Sequence, residues 1–172
     1  MKKIVNYIIL VLALGFGLFY GYTKFTAAQE GEQAPDFETT LVDGSSFQLS
    51  KLQGKYVLLD FWGSWCPPCR KENPKLVQLH TTYPNQLTIV TVGLEKDATS
   101  WKKAAEKDGF VWKNQIVHQN KFVMLSPIAR KYGVSEIPSK FLISPEGKLL
   151  GKLSFEEIDQ ILANTKLPQS LK

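Results

Sequence analysis

The distribution of apolar and polar positions divides the chain into two unlike parts. From Ile4 to Tyr22 the residues are apolar, interrupted only by Asn6, and Met1-Lys2-Lys3 precedes them. A helix of that length rises about 30 Å, the thickness of one hydrocarbon core. The pattern therefore predicts an N-terminal transmembrane helix over 1–25, with Lys2 and Lys3 held on the cytoplasmic side. A cleaved signal peptide is the rival reading, since Thr26-Ala27-Ala28 offers small residues ahead of Gln29. The run is long for a signal core and Lys24 follows it, which favours an uncleaved anchor. A polar linker is expected over 26–33, a domain over 34–165 and a polar tail over 166–172.

Within the domain the period changes repeatedly. Two short strands are expected, Phe37 to Thr40 and Phe47 to Leu49, around the turn Asp43-Gly44. Tyr56 to Trp62 is a continuous apolar run suited to a central strand buried on both faces. Gly63-Ser64 breaks it, and a helix is expected from Cys66 to Thr82 with Pro74 inside it. Leu87 to Leu94 is a β-branched strand, and Ala98 to Lys107 a helix ending at Asp108-Gly109. Trp101, Ala104 and Ala105 share one face of that helix and read as core. Gln115 to Val117 gives a short strand, and Pro127 to Tyr132 a short helix closed by Gly133. Lys140 to Ile143 and Lys148 to Leu153 form a hairpin around Ser144-Pro145-Glu146-Gly147. Ser154 caps a last helix that runs to Asn164, with Glu156 and Glu157 in its first turn. This order predicts an α/β domain, a mixed sheet flanked by helices on both faces behind an N-terminal β-hairpin.

The chain has 172 residues and a formal charge of +5. Its lysines are interleaved with glutamates and form neither a basic block nor an aromatic–basic array, so nucleic acid is not an expected partner. Of more consequence are the cysteines. There are two, and they stand together in Trp65-Cys66-Pro67-Pro68-Cys69, where the central strand ends and its helix begins. Open α/β sheets place their sites at such strand ends. As a structural staple the pair would close too short a loop to remove much chain entropy. As half of a zinc site it would need two more ligands, and the two histidines, His80 and His118, are far apart in sequence. Redox chemistry is the reading the spacing favours, with no metal expected. Disulfides persist outside the cytosol, which agrees with export of the domain.

The positive end of the helix favours a thiolate at Cys66, the candidate attacking sulfur, and Cys69 one turn on is the candidate resolving thiol. Pro67 and Pro68 lack N–H groups and cannot donate to the Cys66 sulfur. Weaker stabilisation of the reduced form makes a weaker oxidant, so a reductant is expected. Arg70 and Lys71, as nearby cations, act in the opposite sense.

These residues together resemble the thioredoxin superfamily, and most closely its membrane-anchored TlpA/ResA-like thiol–disulfide oxidoreductases. The resemblance covers Ala34 to Asn164. It rests on Ala34-Pro35-Asp36-Phe37, Gly54-Lys55, the run from Leu59 to Cys69, Pro74, Ile137-Pro138, Phe141-Leu142-Ile143 and Pro145-Glu146-Gly147. Ser144 departs from the acidic residue or asparagine frequent at that turn, and Trp112 to Leu125 matches only loosely. The resemblance implies that Asp60 lies beneath the cysteines as a buried carboxylate able to take the Cys69 proton; the residues alone allow a strand-end Asp facing water equally well. It implies that Glu72, one turn past Cys69, tunes the thiols; the alternative is an exposed glutamate paired with Lys75. It makes Pro138 a cis-proline facing the cysteines, with the Ile137 backbone free to pair with an extended substrate. Trp65 becomes the apolar rim around Cys66, beside Pro67 and Pro68, and Trp62 a core residue. The implied protein reduces disulfides of other proteins outside the cytoplasm (apocytochrome c is one substrate class). It draws electrons from a membrane thiol carrier of the CcdA/DsbD type, without a cofactor beyond its own dithiol.

Two other classes remain open at this level. A thiol peroxidase shares the Ala-Pro-Asp-Phe start, but its Pro-x-x-x-Thr-x-x-Cys site would require Pro and Thr where Leu59 and Gly63 stand. A Cu(I)-binding module could use two thiolates, although Met124 is the only methionine beyond the start and no histidine cluster supports it.

Overall fold

The structure, a computed structural model, describes residues 2–25, 28–119 and 126–165. The expected tail 166–172, the Thr26-Ala27 part of the cleavage signal and the 120–125 end of the loosely matching segment lie outside the described residues. Helix α1 spans Lys2–Phe25. Among the described residues no helix is long and apolar enough to cross a membrane, so the expected transmembrane helix is not carried by them.

Strands β1 (Glu38–Thr40) and β2 (Ser46–Gln48) form the expected antiparallel hairpin. Leu49 falls outside it. The Asp36 carboxylate accepts bonds from the Ser50 N–H and Oγ–H and from the Gln48 amide, and the chain turns there into a 3-10 turn over Leu49–Leu52. The main sheet has the order β5-β4-β3-β6-β7. Strands β3 (Tyr56–Trp62), β4 (Leu87–Glu95) and β5 (Gln115–Gln119) are parallel. Strands β6 (Ser139–Ile143) and β7 (Leu149–Lys152) continue the sheet antiparallel. Every residue of β3 is buried, as the unbroken apolar run predicts for a strand covered on both faces.

Helices cover both faces. Leu58 and Trp62 point towards α2 (Pro67–Thr82), α3 (Ala98–Lys107) and α5 (Phe155–Asn164), in a core that holds Cys66, Cys69, Trp101, Ala104, Ala105 and Ile158. Val57, Leu59 and Phe61 point the other way, into a core shared with Phe37, Phe47 and Ile128 of the short α4 (Pro127–Lys131). Gly133, at φ 63°, closes α4 as the sequence predicts, because only glycine takes that conformation without strain. Part of the expected linker is docked. The Ala28 N–H bonds to the Lys131 carbonyl, Gly31 and Glu32 pair with Leu149, and Gln33 bridges to Lys148. The contacts with Lys148 and Leu149 lie at the start of β7, the outer strand of the sheet, and give its free edge partners there.

Candidate active site

The site forms where β3 gives way to α2. Cys66 is the N-cap of α2 rather than its first helical residue, and Pro67 and Pro68 occupy the first two helical positions. Proline is tolerated there because the N–H groups it lacks have no intrahelical partner. Of the first three helical residues only Cys69 retains an N–H, and it donates to the Cys66 sulfur at 3.3 Å. The two sulfurs are bonded, with the Cα atoms 5.3 Å apart. Cys66 is 4% exposed and Cys69 1%. Pro67 and Pro68 are exposed, so the helix start beside the pair is open to solvent.

The loop before the cysteines is clamped to the end of β4. Glu95 accepts from the Ser64 N–H at 2.6 Å and from the Ser64 hydroxyl at 2.8 Å. The Trp65 indole N–H donates to the Leu94 carbonyl at 2.8 Å, while 47% of the residue stays exposed beside Cys66. Gly63 leaves room for this arrangement, since a Cβ there would lie 2.8 Å from the Trp65 indole nitrogen. A threonine, as a peroxidase site would need, does not fit without displacing Trp65. Trp62 is fully buried, in core as expected. Facing the pair, the Ile137–Pro138 bond is cis, and the Ile137 carbonyl oxygen lies 3.9 Å from the Cys66 sulfur.

On the side of the sheet where the cysteines pack, Asp60, Lys140 and Glu72 form a charge cluster. Asp60 is 2% exposed, so it does not face water, and its Oδ2 has no hydrogen-bond partner. Burial pushes its carboxyl up to about 7; the nearby Lys140 cation pulls against this and Glu72 adds to it. Lys140 is the residue directly opposite Asp60 on β6. Its ammonium donates to Glu72 at 2.5 Å and sits 4.6 Å from the centre of the Phe155 ring. Glu72 therefore pairs with Lys140 and not with Lys75, whose ammonium reaches Glu156 on α5 at 3.0 Å. Helical spacing favours the local partner, but a buried ammonium needs an acceptor more than an exposed one does. Glu95 is a second carboxyl raised by burial, with the Ser64 bonds acting against the rise. Arg70 is held by Asp108 through two nitrogens, one of them at 2.6 Å, and Asn73 donates to the same carboxylate. The two histidines stay apart. His80 packs on Trp112, and His118 bonds the Ser126 hydroxyl that caps α4.

Sequence reasoning did not single out Lys140, Glu95 or Asp108. Lys140 left one trace, a lysine inside the otherwise apolar strand that follows Pro138. The contacts of Glu95 and Asp108 join segments 31 to 38 residues apart, and no local pattern marks them.

Comparison with known proteins agrees with this geometry. Residues 31–151 match the family described as the AhpC/TSA family. The chain is 32% identical over 172 residues to the thiol-disulfide oxidoreductase ResA of Geobacillus thermodenitrificans, covering 96% of this chain and 95% of that protein. The thioredoxin domain of a thiol-disulfide oxidoreductase from Bacteroides vulgatus superposes with a TM-score of 0.69 at 30% identity, over 79% of this chain and 99% of that one. A thiol:disulfide interchange protein from a Bacteroides species gives 0.68 at 30% identity, over 83% and 96%. The chain belongs to the AhpC/TSA family, as a thioredoxin-like thiol–disulfide oxidoreductase similar to ResA.

Proposed function

We propose that this protein is a membrane-anchored reductase of protein disulfides working outside the cytoplasm, with apocytochrome c among its substrates. The observation that carries the reading is the environment of the Cys66 sulfur, which caps α2 but accepts a single helical N–H. A thiolate there gains from the helix end yet lacks the further donors that would stabilise it strongly. Of the two cations expected to offset this, Arg70 is already paired with Asp108 and Lys71 is exposed to screening solvent. The reduced pair is then a good electron donor.

In the proposed cycle the Cys66 thiolate attacks one sulfur of a substrate disulfide. A Cys66–substrate disulfide forms, and the substrate S–S bond breaks to release one thiolate. Cys69 passes its proton to the carboxylate of Asp60, and its sulfur attacks Cys66. The second substrate thiolate leaves, and the Cys66–Cys69 bond forms. The substrate gains two electrons and the protein loses two. Glu72 tunes the thiols through its charge. Trp65, Pro67 and Pro68 form the surface on which the substrate lies, and the backbone at Ile137–Pro138 pairs with its extended chain. No cofactor enters beyond the dithiol. A membrane dithiol carrier of the CcdA/DsbD type returns the two electrons. The apolar α1, whose side chains from Ile4 to Leu12 that carry Ile, Val or Leu are all more than half exposed, holds the domain at the membrane.

The reduction potential of the Cys66–Cys69 pair, followed by Trp65 fluorescence in thiol/disulfide buffers, tests the reading. A value near about −270 mV supports a reductase; one near about −120 mV, that of a strong oxidant, overturns it.

A further inference from the structure

We propose that Lys140 is a positioning residue of this dithiol: its buried ammonium, bonded to Glu72 and carried on the residue directly opposite Asp60, governs when Asp60 can take the Cys69 proton. The inference rests on the proposed role of Asp60 as proton acceptor.

The geometry begins with the ladder. Asp60 on β3 and Lys140 on β6 are directly opposed, and opposed residues of an antiparallel pair share one face of the sheet. That face is the one covered by α2 and α5, where Cys69 is packed. The Lys140 side chain is 8% exposed, and its hydrogen bond goes to Glu72 rather than to Asp60. Asp60 keeps an orphaned Oδ2. One cation thus serves two carboxyl groups, bonded to the first and acting on the second through space.

Charge balance then fixes the direction of control. With Asp60 protonated, Lys140 and Glu72 neutralise each other. When Asp60 ionises, the cluster carries one net negative charge; the Glu72 side chain is 38% exposed, but Asp60 is buried, and the Lys140 cation is the charge that favours its ionised form. Removing that cation leaves two facing carboxyl groups and makes ionised Asp60 harder to reach. Removing the charge of Glu72 has the opposite effect, because a like charge is gone and the ammonium is no longer shared. The other charged groups around Lys140 are engaged elsewhere. Lys75 from α2 and Glu156 from α5 pair with each other, and Lys152 from β7 pairs with Glu136.

The test is the pH dependence of the Asp60 carboxyl carbon, by nuclear magnetic resonance of the reduced full-length chain, in wild type, Lys140→Met and Glu72→Gln. Methionine keeps the length and packing of the lysine stem. Glutamine keeps an accepting oxygen for the ammonium. The release phase of disulfide reduction, read by stopped-flow fluorescence against excess glutathione disulfide, is measured on the same samples. The expected result is a midpoint moved up by about one pH unit or more in Lys140→Met and down by a similar amount in Glu72→Gln, with release following each shift. If both variants leave the Asp60 midpoint in place, or move it in the same direction, Lys140 does not govern Asp60. Should Lys140→Met fail to fold, Lys140→Gln, which also removes the cation, takes its place, and an unmoved Asp60 midpoint there overturns the coupling. Loss of disulfide exchange in the wild type would overturn the reductase reading, and the carboxyl midpoints would still judge the Lys140 coupling.

Discussion

Asp60 makes the stability of the protein depend on pH in a direction opposite to that of most carboxylates. Its carboxyl titrates at about 7 in the folded chain because it is buried, against about 4 in an unfolded one. Between those values the native state keeps a proton that the unfolded chain has lost. Stability therefore falls as pH rises through that window and levels off above it. An Asp60→Asn variant removes this penalty. Chemical denaturation at pH 8 should find it more stable than wild type by about 2 to 4 kcal/mol, with the difference vanishing below about pH 4. Release of reduced substrate at pH 8 should meanwhile slow about 100-fold for want of a proton acceptor. A variant both less stable and fully active would show Asp60 to be structural. Pro68 offers a second test at this scale. Pro68→Ala restores an N–H at the second helical position, within reach of the capping sulfur. A further bond to the thiolate, at about 1.5 kcal/mol, should make the potential about 30 mV less negative.

Among the elements, the β3–α2 loop depends most on partners distant in sequence. Glu95 closes β4 and takes both donors of Ser64, so the backbone just before Trp65 and Cys66 is fixed by a buried carboxylate. Glu95→Gln would set an amide N–H₂ against one of those donors. Unfolding experiments should show a loss of about 1 to 3 kcal/mol, and the emission of Trp65 should shift as its bond to Leu94 loosens. Unchanged stability and emission would mean that the clamp is not what orders the loop. The same contrast between local and distant partners decides what could be read from sequence. Strands β3 and β4 and helix α3 were legible because burial on both faces, β-branched runs and an Asp-Gly stop are local signals. The boundary of β2 was not, because the Asp36 carboxylate that turns the chain at Leu49 lies 14 residues from the Ser50 donors it accepts. The same holds for the site. Cys66, Cys69 and the Ile137–Pro138 bond announce themselves in short motifs. An uninterrupted apolar strand, however, gives no phase to tell which face Asp60 takes. The i, i+3 spacing of Glu72 and Lys75 pointed to a pair that a buried lysine 68 residues away displaces.

At the scale of the whole molecule, two charge environments and one apolar helix must work in one place. The domain carries a dithiol that needs electrons from outside itself, since Cys66 and Cys69 are the only cysteines in the chain. In the anchored form proposed above, α1 would answer that need by keeping the dithiol near a donor in the membrane. The chain geometry makes the tether short. Ala28, three positions after the last residue of α1, Phe25, is already hydrogen-bonded to the domain at Lys131. The apolar side chains of α1, left in water, would form a patch far larger than soluble monomers tolerate. On the anchored reading a bilayer removes that cost, with Lys2 and Lys3 on its cytoplasmic side. The full-length protein should therefore sediment with membranes, resist extraction by alkaline carbonate, and retain Met1 or Lys2 as its first residue by intact mass. Deletion of 1–27 should leave the reduction potential of the pair unchanged while abolishing reduction by the donor in membrane vesicles. A mature chain that begins at Gln29 would instead identify the N-terminal run as a cleaved signal. The dithiol would then meet its donor by diffusion, and the deletion would cost nothing.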